Sequence, residues 1–280
     1  MGRIRSRSVG GLRSRAGRSA LRFVLFLVVA LFVALRASRS KHRVDARNDS
    51  SNDVGTAAAL DTGKYIAKGD EGLGAAVAIM IDNSGSMKQK AGSDTRPKYQ
   101  VARAALEEML ASTDSFAAKQ PGFPIKVGLY YFSSGVHTLE PMQAYDAAAV
   151  RAALDSMPPP NGGTAIGEAM DVARKSLYES GMIRKYILVV TDGENTDGRP
   201  PREVARQIAQ RSEGAVRQYF VAFDVDAKNF SFLRDVHGEV LSAANGLSLR
   251  ASLDTIYRGK ILAEAVDAGE TLTPPSTKKP

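Results

Sequence analysis

Three short stretches of the chain carry oxygen-bearing side chains at spacings suited to holding a cation. "IDNSGSM" (81–87) places Asp82, Ser84 and Ser86 at alternate positions. "GGTAIGEAM" (162–170) sets Thr164 behind two glycines, and "VVTDGENTDG" (189–198) holds Asp192. Two carboxylates and three hydroxyls are hard donors, which suit Mg²⁺, Mn²⁺ or Ca²⁺ rather than a thiophilic metal. Alternate spacing lets one turning loop aim several oxygens at a point. Gly85 and the Gly162–Gly163 pair permit the tight turns this needs. Each stretch alone has an ordinary alternative. Asp82 and its serines read as a turn, Thr164 as a helix N-cap, and Asp192-Gly193 as another turn. The combination is what discriminates.

The elements around these residues alternate. Apolar runs at 76–81, 125–132, 185–191 and 217–224 are short and rich in β-branched and aromatic residues. They lack strict alternation, as strands covered on both faces do. Helical stripes lie between and after them: Tyr99, Ala102, Leu106 and Met109; Val150, Leu154 and Met157; Ile166, Met170, Ala173 and Leu177; Val204 and Ile208; Leu249, Leu253 and Ile256. Gly181 and Gly214 stand where the third and fourth helices should stop. Strands alternating with amphipathic helices predict an α/β domain with a mostly parallel sheet and helices on both faces. In such a sheet ligands bind at the carboxyl ends of strands. Asp82 and Asp192 each follow a strand, and Thr164 opens a helix.

Other chemistries find little support. The chain has 280 residues and no cysteine, which excludes disulfides, zinc-thiolate sites and cysteine nucleophiles. The formal charge of +8 is concentrated in residues 1–47, which hold twelve Lys/Arg and one acid. The remainder carries 26 basic and 29 acidic groups, so no nucleic-acid partner is expected. His42, His137 and His237 show no ligand or triad spacing. Ser84 is not in a hydrolase elbow, and no phosphate-cradling Gly-x-x-x-x-Gly-Lys-Ser/Thr loop is present. Glu194 and Asp197 do not fit a calcium-loop spacing and read as a solvated rim. Lys88, Lys90 and Lys98 lie near the first stretch and could steer an acidic partner.

"DNSGSM", "GGTAIGEAM" and "ILVVTDGENTDG" together resemble a von Willebrand factor A-type (vWA) domain with an intact metal-ion-dependent adhesion site (MIDAS). The resemblance spans about residues 74–265. It implies a doubly wound, Rossmann-like sheet of six strands with one short antiparallel edge strand. The strands carrying Asp82 and Asp192 would be neighbours at the switch point. By the same resemblance Ser84, Ser86 and Thr164 supply hydroxyls, while Asp82 and Asp192 bind the ion directly or through water. One open position would accept an Asp or Glu carboxylate of a partner protein, with Mg²⁺ the favoured ion and Mn²⁺ or Ca²⁺ the alternatives. This implies a binding module, not an enzyme. A metal-dependent hydrolase or phosphohydrolase, and a structural envelope protein with a vestigial site, stand as rival classes.

The N-terminus reads as a membrane segment. Seven arginines precede the apolar run Phe23–Leu35, and five Lys/Arg follow it within about a dozen residues. A basic region before such a run marks a signal peptide or an uncleaved signal anchor. Leu35 and Arg36 spoil the small-x-small cleavage pattern, which favours the anchor. Thirteen helical residues cover roughly 20 Å of a roughly 30 Å core, and extension back to residue 20 recovers part of the deficit. The expected organisation is a basic cytoplasmic segment 1–19, a transmembrane anchor 20–36, a linker 37–72, the vWA domain 73–266 and a disordered tail 267–280. The charge bias places the N-terminus in the cytoplasm and the domain on the periplasmic or extracellular side of a bacterial-type envelope.

Overall fold

The computed structural model describes residues 72–264. The anchor at 20–36, the tail at 267–280 and nearly all of the linker therefore lie outside the described residues. Among the described residues, no helix is long and apolar enough to cross a membrane.

Six strands form one sheet: β1 (Gly72–Asp82), β2 (Ile125–Phe132), β3 (Val136–Ala144), β4 (Met182–Thr191), β5 (Val216–Phe223) and β6 (Glu239–Ala243). Their order is β3-β2-β1-β4-β5-β6. Only β3 runs antiparallel, paired with β2 at one edge; the other pairs are parallel. The order reverses direction at β1 and β4, which are neighbours. Their carboxyl ends carry Asp82 and Asp192.

Five α-helices cover the faces: α1 (Lys98–Lys119), α2 (Ala147–Asp155), α3 (Ile166–Glu179), α4 (Pro201–Arg211) and α5 (Gly246–Ile256), which continues as a π-helical turn over Tyr257–Leu262. Alternation along β1 divides the core. Val77, Ile79 and Ile81 pack with Leu106 and Leu110 of α1 and Leu249 and Leu253 of α5. Ala76, Ala78 and Met80 pack with Ile166, Met170 and Leu177 of α3 and Val204 and Ile208 of α4. Both faces of the strand are buried, which is why its sequence shows no polar alternation. Burying each of these valine, leucine, isoleucine and methionine side chains contributes roughly 1.5–3 kcal/mol before chain entropy is counted.

The helix ends are fixed locally. Asp146 caps α2 by accepting from the Ala148 and Ala149 amides at 2.8 and 3.0 Å. Asn245 and Ser248 form a capping box at α5, and Pro201 opens α4. Gly181 and Gly214 end α3 and α4 with φ of +67° and +81°. α1 differs: it starts after Pro97 with no side-chain cap, and its first residue is the cation Lys98.

The structure adds two strands to the four apolar runs. β3 is exposed along much of its length, and β6 has five residues, so neither leaves a strong apolar signature.

Candidate metal centre

The β1 loop is shaped by Asp82 itself. Its Oδ1 accepts the Ser84 amide at 2.8 Å and turns the chain into a short 3₁₀ segment, Gly85–Lys88. The ordinary turn reading of Asp82 is thus true of one oxygen. The other, Oδ2, accepts the Thr191 hydroxyl from the end of β4 at 2.6 Å. Asp82 is 0% exposed. Burial pushes its carboxyl up to about 6; hydrogen bonds from Ser84 and Thr191 oppose the rise, and the Asp192 charge adds to it.

The two serines form a chain of hydroxyls. Ser84 Oγ lies 3.0 Å from Ser86 Oγ, and Ser86 Oγ donates to Asp192 Oδ1 at 2.7 Å. The β1 and β4 loops are therefore joined through Ser86. Asn83 braces the same loop against the one that carries Thr164. Its side-chain amide donates to the Pro158 carbonyl at 3.0 Å, and its own carbonyl accepts the Asn161 amide.

Thr164 is not a helix cap. The N-cap of α3 is Ala165, which offers no side-chain bond, and Asn195 Oδ1 instead accepts the Gly167 amide at 3.3 Å. The Thr164 segment is held from two sides. Ser134 Oγ accepts the Gly163 amide, and the Ser133 carbonyl accepts that of Ala165. The Thr164 amide donates to Thr196 Oγ1, while its carbonyl accepts the Thr196 and Asp197 amides. The turn that delivers it needs Gly162 at φ +73°. Gly193 marks where the pieces meet. A Cβ there would stand 3.8 Å from Thr164 Oγ1 and 4.0 Å from Ser86 Oγ. The space between those two hydroxyls is open because residue 193 has no side chain.

The structure thus brings Asp82, Ser84, Ser86, Thr164 and Asp192 together at the carboxyl edge of the sheet. Among the described residues no group of three or more His, Cys, Asp or Glu side chains is positioned to hold a metal. Only two of the five candidates are carboxylates, and a donor set completed by hydroxyls lies outside that pattern. The donor types fit a hard divalent cation: two carboxylates and three hydroxyls come from three loops, and no imidazole or thiol is among them.

Three neighbours were not anticipated in these roles. Thr191 orients Asp82. Lys98, expected to be an exposed steering charge like Lys88 and Lys90, is 4% exposed. Its ammonium lies 3.0 Å from Asp192 Oδ2 and 2.9 Å from Asp224 Oδ2. Burial pulls the Lys98 amine down, but the hydrogen bonds to Asp224 and Asp192 outweigh it and leave it raised. Asp224 follows β5 in the left-handed region at φ 55°. Nothing in the local sequence marks these contacts, because each joins separate loops.

The rim is mixed. Glu194 is exposed, as expected, but Asp197 is half-buried, with its carboxylate against Gly163. A cleft of about 280 Å³ adjoins the β4 loop and is lined by residues including Glu194, Pro200, Arg202 and Phe230. His137 is exposed and stacks on Tyr131 at 4.7 Å, and His237 is exposed beyond the β6 side.

Comparison with known proteins agrees with this architecture. Residues 77–194 match the family model of the von Willebrand factor type A domain. The chain is similar in structure to the PilB minor pilin from Streptococcus sanguinis (16% identity, TM-score 0.58), with 72% of this chain and 64% of the pilin covered. It therefore spans slightly less than two thirds of that protein. BatB from Bacteroides thetaiotaomicron is similar over 70% of this chain and 100% of its own (22% identity, TM-score 0.51). Proximal thread matrix protein 1 from the mussel byssus, with a zinc-occupied MIDAS motif, is similar over 68% of this chain and 48% of its own (21% identity, TM-score 0.53). At these identities the likeness shows the fold. No curated protein matches the chain.

Proposed function

We infer that the von Willebrand factor A-type domain of this chain is a metal-dependent protein-binding module. Asp82, Ser84, Ser86, Thr164 and Asp192 hold a divalent cation, with Mg²⁺ favoured and Mn²⁺ or Ca²⁺ possible, and the ion captures an Asp or Glu carboxylate of a partner protein. The observation that carries this reading is the joining of the β1 and β4 loops through Ser86 and Asp192 at 2.7 Å, with the Thr164 hydroxyl across the open space at Gly193. When bound, the cation supplies an electrophilic point for an anionic ligand. The chain's own residues do the rest. Two carboxylates roughly balance a divalent charge, and three neutral hydroxyls add donors without quenching it. The relative with a zinc-occupied MIDAS motif supports a divalent ion on this fold.

The setting proposed is a bacterial-type cell envelope, with the domain tethered by the segment 20–36 and facing outward. An aerotolerance-related membrane protein from Bacteroides fragilis, 19% identical with a TM-score of 0.52, supports it by analogy of fold.

The test has two parts. Titration calorimetry of the full chain with Mg²⁺, Mn²⁺ and Ca²⁺ should give saturable binding that Asp82→Ala abolishes. Capture of partners from membranes should be lost with EDTA and with Asp82→Ala. Capture that survives both would rule the mechanism out. Turnover of phosphate esters with Mg²⁺ or Mn²⁺ would favour the hydrolase class instead.

A further inference from the structure

Lys98 sits where a cation is costly. It is the first residue of α1, where the helix dipole disfavours positive charge and no side chain caps the turn. It is also buried. Two carboxylates offset those costs, Asp192 at 3.0 Å and Asp224 at 2.9 Å. Asp192 is thereby divided: Oδ1 accepts from Ser86 and Oδ2 from Lys98. One contact touches the candidate metal site and the other lies outside it. The backbone at the root of this side chain is also anchored, since the Lys98 backbone amide donates to the Gln89 carbonyl at 2.7 Å.

We propose that Lys98 is a built-in cation of this site: it neutralises Asp192 when no divalent ion is bound, and it lowers the site's affinity for that ion. The proposal rests on the metal-binding reading above and deepens it. Asp82, Asp192 and Asp224 with Lys98 carry a net charge of −2, which a divalent ion brings to zero. Without Lys98 the same groups would carry −3 and hold the ion more tightly. A more fully neutralised ion attracts a partner's carboxylate less. Lys98 therefore trades ion affinity for attraction toward an acidic ligand, and it keeps the loops together in the metal-free state. It is a positioning residue acting through Asp192.

The experiment uses the full chain, with Mg²⁺ titration by calorimetry and thermal melting in EDTA. Lys98→Met should melt earlier in EDTA yet bind Mg²⁺ about tenfold more tightly, the scale on which groups behind metal ligands act. Lys98→Arg should restore wild-type affinity. Asp224→Asn should act oppositely and weaken Mg²⁺ binding, because it removes a charge and leaves Lys98 to Asp192 alone. A merely structural lysine would shift melting and leave the affinity alone. Lys98→Met affinity within about twofold of wild type therefore overturns the proposal. If that variant does not fold, unchanged affinity in Asp224→Asn overturns it. The two readings fail separately. Binding by Lys98→Met but not by wild type would end the metal-dependent function and leave the lysine's role standing. Absence of binding in both would end the two together.

Discussion

The Thr191 hydroxyl donates to Oδ2 of Asp82 at 2.6 Å and joins the carboxyl ends of two neighbouring parallel strands. Both residues are 0% exposed. The register makes the contact possible: Ile81 pairs with Val190, so Asp82 and Thr191 stand side by side as the strands end. Asp82 thus has one oxygen committed to its own loop and the other to β4. Its orientation is set before any ligand arrives.

Thr191→Val removes that bond with little change in volume. A hydrogen bond to a charged group contributes roughly 1.5–3 kcal/mol, so the metal-free domain should lose about that much in urea unfolding at pH 7. Calorimetry should also show weaker divalent binding, by roughly tenfold, because a ligand that loses its orienting partner binds less well. Unchanged stability would mean the contact contributes nothing.

The raised Asp82 carboxyl gives a pH dependence of definite sign. Its folded value is about 6 against an ordinary 3.8. The folded state therefore holds this proton more strongly than the unfolded chain does. The contribution is fully present below about pH 3.8 and is lost as pH rises through about 6. It amounts to something on the order of 2–3 kcal/mol. Without metal, wild-type stability relative to Asp82→Asn should fall between pH 4 and 6. A constant difference across that window would contradict the assignment. Divalent binding needs the ionised form, so ion affinity should decline below about pH 6.

The neutrality of Ser84 yields a sharper mutation than its removal. Ser84 is buried, and its hydroxyl lies 3.0 Å from that of Ser86. Ser84→Asp adds a third carboxylate to the candidate site, beside Asp82 and Asp192. Divalent binding should persist or strengthen in calorimetry, while EDTA-sensitive capture of the partner from membranes should fall. If capture rises with ion affinity, the partner does not approach through a carboxylate.

Much of this architecture was legible in the sequence, and the remainder was not for identifiable reasons. β1, β2, β4 and β5 are buried on both faces, so their apolar runs stand out. β3 is an exposed edge strand whose polar residues resemble a loop, and β6 is too short to show a period. The antiparallel edge at β3 was implied only by the family resemblance. The placement of Asp82, Ser84, Ser86 and Asp192 was readable because they follow the ends of β1 and β4, and that of Thr164 because two glycines and a helical stripe flank it. Thr191 stood next to Asp192 but carried no local mark of its contact with Asp82, 109 residues away. Lys98 was misplaced for the same reason. A lysine two residues after Arg96 reads as a solvated charge, and only the meeting of α1 with the ends of β4 and β5 buries it.

Gly193 separates a role in folding from one in binding. Its backbone has no left-handed φ, and an added Cβ would meet Thr164 Oγ1 and Ser86 Oγ at 3.8 and 4.0 Å. Those are ordinary contact distances, so Gly193→Ala should fold normally, with stability within about 0.5 kcal/mol of wild type. The methyl group nevertheless fills the opening that the two hydroxyls face. A cation held by both would lose room, and polar donors would gain an apolar neighbour that cannot replace water or ligand. Divalent binding should weaken severalfold in calorimetry while the urea midpoint in EDTA stays put. Gly167→Ala is the useful contrast. Its Cβ would lie 2.1 Å from the Arg199 carbonyl, so the β4 loop would have to move off α3. That variant should lose stability by roughly 1–3 kcal/mol whether or not metal is present. If Gly193→Ala instead lowered the midpoint in EDTA and left ion affinity intact, the space beside Thr164 and Ser86 would be a packing feature and not the place where an ion sits.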